Sequence, residues 1–78
     1  MRDPRARRAE QLRAHVAAAL SKARADHAGG LSAEALWWKV SDVFPGSRVR
    51  GKEVRHALQA LRQAGRVRYA RPNWELVR

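Results

Sequence analysis

The apolar periodicity of this chain changes once, between Leu61 and Val67, and that change limits the folds open to it. Val54, Ala57, Leu58 and Leu61 fall at i, i+3, i+4 and i+7, the spacing of one face of an α-helix. Gly65 follows and stops the helix. Beyond it, Val67-Arg68-Tyr69 and Trp74-Glu75-Leu76-Val77 read as paired strands, with Ala70 to Asn73 turning the chain between them. Pro72 has no amide hydrogen to donate, so it belongs at the hairpin tip and not in the ladder.

Two more helices precede this unit. From about Ala9 to Ala25, Leu12, Val16, Ala19, Leu20 and Ala23 form one apolar face, and Gly29-Gly30 suits a left-handed C-terminal cap. Leu31 is expected to form a strand of one or two residues. Ser32 is the N-cap of the next helix, with Glu34 in its first turn. Leu36, Trp37, Val40 and Phe44 then share a core-facing stripe until Pro45-Gly46 ends the helix. A polar, basic loop over 46–50 leads into the third helix, Gly51 to Ala64. The predicted order is three helices and a C-terminal hairpin: one α+β domain over 9–78, small enough to hold a single core. Residues 1–8 contain Arg2, Arg5, Arg7 and Arg8 but no large apolar side chain except Met1, and are predicted to be a flexible basic arm.

Charge is distributed unevenly over this plan. Residues 46–78 hold nine Lys or Arg against two acids, a net +7 of the chain's +10. Residues 9–45 balance at four against four, and the other +3 lies in 1–8. A positive field confined to contiguous elements points to a polyanionic partner. Fourteen of the seventeen basic residues are Arg. That bias suits bidentate grip on phosphate and guanine, and it suits the codon usage of a GC-rich bacterial genome equally.

Other classes find little support. The chain has no cysteine, so disulfides and thiolate zinc sites are excluded, which accords with a cytoplasmic setting. No apolar run is long enough for a membrane span, and Met1-Arg2-Asp3-Pro4 opens no apolar signal segment. His15, His27 and His56 are scattered, with no His-x-x-x-His pair to hold a metal. The sparse acids form no catalytic pair or triad. The chain is therefore read as non-enzymatic, without cofactor, metal or membrane partner, and with no room for a domain that would bind a small-molecule effector.

Val54-x-x-Ala57-Leu58-x-x-Leu61-x-x-x-Gly65-x-Val67, followed by Trp74-x-Leu76, resembles the winged helix-turn-helix superfamily over about residues 9–77. GntR-type and MarR-type regulators have a third helix and wing of this form. The resemblance implies a third helix in the major groove of DNA and a hairpin wing on the flanking backbone. It is a fold-level likeness, since winged helices also bind RNA and proteins. A narrower likeness, through Lys52-Glu53-Val54, Leu58, Leu61, Gly65, Pro72 and Trp74-x-Leu76, is to the Z-alpha domains that bind left-handed nucleic acid. Those domains carry an Asn and a Tyr on the third helix and a proline pair on the wing. Here Arg55, Gln59 and Arg71-Pro72 stand in those places, which argues against Z-form recognition.

Candidate contact residues follow from the helical wheel. With Val54, Leu58 and Leu61 inward, Lys52, Arg55, Gln59 and Arg62 face solvent, and Arg50 and Gly51 sit at the helix start. Arg55 could grip guanine O6 and N7, and Gln59 adenine N6 and N7. Arg66, Arg68 and Arg71 on the hairpin are expected to hold phosphates, although basic residues also protect a sheet edge from aggregation. The arm Arg2, Arg5, Arg7, Arg8 suits a minor groove or a solubilising tail. Trp37 is expected in the core and Trp38, about 100° around the helix, at its margin. Trp38 is thus the candidate interface for a homodimer or another protein. The expected partner is duplex DNA, in a bacterial, phage or plasmid-encoded regulator or accessory factor of the nucleoid. RNA binding and a protein-docking module through Trp38 and the first helix are the alternatives.

Overall fold

A computed structural model describes residues 3–26, 29–44 and 48–77. Three helices, α1 (Pro4–Ala25), α2 (Ala33–Val43) and α3 (Gly51–Gln63), precede an antiparallel hairpin of β1 (Val67–Ala70) and β2 (Asn73–Leu76). This is the expected α+β order.

The first helix starts earlier than its apolar face suggests. Asp3 is its N-cap, the carboxylate accepting from the Arg5 amide at 2.9 Å, and Pro4 occupies the first turn. Proline at that position gives up an amide that no helix could satisfy, and its fixed φ suits the turn. Residues 4–8, expected in a flexible arm, are therefore helical; Arg2 lies outside the described residues. Leu12, Val16, Leu20 and Ala23 bury one face of α1. The helix ends at Ala25 with Asp26 as its cap, so Gly29, at φ 80°, lies beyond the cap that Gly29-Gly30 was expected to form.

α2 opens as expected, with Ser32 Oγ accepting from the Ala35 amide at 3.1 Å. Leu36 and Val40 are fully buried, and Phe44 closes the stripe. Trp37 packs only partly buried at the edge of this core, a departure from the expected core position. Its indole must reach a polar partner, and Nε1–H donates to the Val49 carbonyl at 2.9 Å. The apolar side chain of Val49, in the loop before α3, fills the core instead.

α3 buries Val54, Ala57, Leu58 and Leu61. Its end is a Schellman motif: the Gly65 amide donates to Arg62 and the Arg66 amide to Leu61, with Gly65 at φ 73°. The chain thereby turns directly into β1. Register pairs Val67 with Leu76, Arg68 with Glu75, Tyr69 with Trp74 and Ala70 with Asn73, around a turn of Arg71 and Pro72 joined by a cis peptide bond. Val67 and Trp74 lie on the inner face and are buried in the core.

Leu31 forms the expected short strand, exchanging both backbone hydrogen bonds with Trp74 at 2.9 and 2.7 Å. The preceding Gly30 lies so close that a Cβ there would stand 2.6 Å from the Trp74 carbonyl oxygen. Gly30→Ala should push the two segments apart and destabilise the domain by about 1–3 kcal/mol, the usual cost of overpacking. Urea unfolding checks this, with a shift in midpoint at unchanged slope.

Candidate nucleic-acid interface

The face of α3 opposite its buried stripe carries Lys52, Arg55, Gln59 and Arg62, all exposed. Steps of three, four and three keep them in one row along the helix. His56 is exposed one residue beyond Arg55 and widens the row. Arg50 precedes the helix as its N-cap, Gly51 is its first residue, and Arg66 follows its end; all three are exposed. The four residues of the row are thus accessible and on one side, with Arg50, Gly51 and Arg66 exposed at its two ends.

One acid, Glu53, sits among these cations, and α1 holds it. Arg8 Nε donates to Glu53 Oε2 at 2.8 Å and Arg8 Nη2 to Oε1 at 3.2 Å. Glu53 Oε1 also accepts from the Arg50 amide at 3.0 Å, satisfying one of the donors left open at the helix start. Arg8 Nη2 reaches the Arg48 carbonyl at 2.9 Å, and the guanidinium lies 5.2 Å from the centre of the Phe44 ring. Arg8, expected in a mobile arm, is thus a strut joining α1, α3 and the loop between α2 and α3. Hydrogen bonding from Arg8 holds the Glu53 carboxyl below the usual carboxylate range, helped by the Arg50 amide.

Because that value is lowered on folding, the Glu53 contribution to stability is full above the unfolded carboxylate value of about 4.3 and fades as pH falls through the folded value. Glu53→Gln should therefore destabilise the protein at neutral pH, and the gap from wild type should close below about pH 4. Thermal unfolding across pH is the check; a gap that persists undiminished in acid would contradict the ion pair.

Residues outside α3 are divided. Arg5 is exposed and lines an open cleft with Arg8, Arg48, Arg50, Lys52 and His56; Arg7 is exposed but does not line it. Arg71 is exposed in the hairpin turn. Arg68 points to the outer face of the hairpin, where it forms an ion pair with Glu75 directly across the ladder. Its charge is matched locally, so Arg71 and Arg66 are the better placed hairpin cations.

Two further candidates are not singled out from the sequence. Arg48 belongs to a loop that reads as basic, but its place in the cleft depends on a strut from a helix forty residues away. Tyr69 shares the inner face with Val67, yet lies past the edge of the core, 47% exposed and with its ring 4.9 Å from that of Trp74. Strand alternation from Val67 is the signal that could have found it. On α2, Trp38 is 63% and Val43 64% exposed, so Trp38 lies outside the core as expected.

Among the described residues no helix is long and apolar enough to cross a membrane, and no group of three or more metal-ligating side chains converges. Comparison with known proteins finds no matching family model, curated protein or solved structure.

Proposed function

We propose that this chain is a non-enzymatic winged-helix protein that binds duplex DNA, with α3 in the major groove and the hairpin as a wing against the backbone. The supporting observation is the exposed row Lys52, Arg55, Gln59, Arg62, whose one neighbouring acid is already matched by Arg8. A solvated helix face ordinarily mixes signs. This one presents cations and the amide side chains of Gln59 and Gln63 over about three turns, the dimension the major groove admits. The biological setting in this reading is a transcriptional regulator or a recombination or nucleoid accessory factor of a bacterium, phage or plasmid.

Arg55 and Gln59, in the middle of the row, are assigned to base edges, and Arg66 and Arg71 to phosphates. After selection of a preferred site from random duplexes, Arg55→Ala should cost about 1–3 kcal/mol on that site and relax its sequence preference. Equal loss on every sequence would mean that α3 grips only backbone. Duplex RNA bound as tightly as DNA would move the assignment to RNA.

A second reading is favoured by one observation, the exposure of Trp38 on α2. A large aromatic left outside the core is a suitable anchor for a protein partner, including a second copy of this chain. Sedimentation of wild type and Trp38→Ala, free and on DNA, tests it: a wild type that remains monomeric throughout removes the dimer.

A further inference from the structure

The cleft beside the start of α3 draws its cations from three separate segments. Arg5 and Arg8 come from the first turns of α1, Arg48 and Arg50 from the loop, and Lys52 from α3. Among the described residues Glu53 is the one acid that lines it, and it is engaged by the Arg8 guanidinium and the Arg50 amide. Gathering like charges in a concave place costs repulsion, which water and salt only partly relieve. Acids were available to dilute it, since residues 9–45 contain four. None of the four lines the cleft. The Arg8–Glu53 pair meanwhile fixes the spacing of the two walls, so the site exists before any ligand arrives.

We propose that this cleft is a phosphodiester-binding site that seats the DNA backbone next to the groove occupied by α3. The proposal rests on the DNA reading above and extends it: α1, and not only α3 and the hairpin, belongs to the contact surface. Lys52 both lines the cleft and heads the exposed row on α3, so one strand can run continuously from the bases to the cleft. The recognition helix would then be flanked by backbone contacts at its beginning, from Arg5 and Arg48, as well as by those from the wing.

The test compares two double variants of equal charge. Arg5→Gln with Arg48→Gln removes two exposed cations of the cleft and leaves the Arg8–Glu53 strut intact. Lys22→Gln with Arg24→Gln removes two exposed cations of α1 that do not line it. Binding of a duplex carrying the preferred site is followed across a salt series, with folding checked by circular dichroism. Every phosphate that is no longer neutralised should flatten the plot of log affinity against log salt by about 0.9, so the cleft variant should flatten it by about 1.8. Its sequence preference should be unchanged, and ethylation interference should vanish at phosphates on one flank of the site. The control should keep the slope of wild type. A cleft variant with wild-type slope and interference overturns the proposal while leaving base reading by Arg55 intact. Equal flattening by both variants also overturns it, since net charge alone then explains the effect. A wild type with no affinity for duplex DNA at low salt removes the DNA reading and this site together.

Discussion

Affinity for duplex DNA should fall roughly a thousandfold as monovalent salt rises from about 50 to about 200 mM. Each phosphate neutralised by a Lys or Arg releases condensed counterions, contributing about −0.9 to the slope of log affinity against log salt. Arg50, Lys52, Arg62, Arg66 and Arg71 are exposed on or beside α3 and the hairpin, with Arg5 and Arg48 in the cleft, whereas Arg55 is assigned to bases and Arg68 is matched by Glu75. Roughly five to seven phosphates neutralised give a slope near −5, and a fourfold rise in salt then costs about three decades. Fluorescence anisotropy on a labelled duplex measures this directly. A slope shallower than about −2 would mean that most of these cations remain in solvent when the complex forms.

Leu58→Ala should remove much of the stability of the domain. Leu58 is fully buried between the stripes of the other helices, alongside Val54, Leu36 and Val16. Truncating a buried leucine forfeits its transfer energy and leaves a cavity, about 2–5 kcal/mol together. A domain of this size has on the order of 4–12 kcal/mol to lose. The melting temperature should drop by about 10–30 °C, and DNA binding should fail with it because α3 loses its seat. Gln59→Ala, one residue on but exposed, should change stability by less than about 0.5 kcal/mol. Thermal unfolding followed by circular dichroism checks both. Similar melting temperatures for the two variants would mean that α3 does not pack through the face described.

What the sequence displays well is local. The i, i+3, i+4, i+7 stripe of α3 and the stop at Gly65 are set by backbone geometry within one segment, and both stand in the structure. The hairpin order is legible for the same reason, whereas the short strand at Leu31 is completed only by Trp74, far along the chain. The start of α1 is harder to read, because low hydrophobicity over residues 1–8 masks the Asp3-Pro4 start signal. The role of Arg8 is not legible at all: its partner Glu53 is 45 residues away, and side-chain pairing at that range has no periodic trace. Arg68 lies between these cases. A two-residue turn at Arg71-Pro72 places Arg68 opposite Glu75, so the register alone suffices to match its charge. Trp37 is drawn from the core by its indole N–H, which an apolar stripe does not reveal.

In the proposed complex duplex DNA meets this protein through α3, and titrating the nitrogen-15-labelled protein with a duplex bearing the selected site makes the contact visible in its amide and indole resonances. The expected shifts fall in residues 48–63 and 66–73, with Arg5 at the start of α1, while the Trp38 indole stays in place. Shifts centred on Trp38 and Val43, with α3 unmoved, would contradict the account.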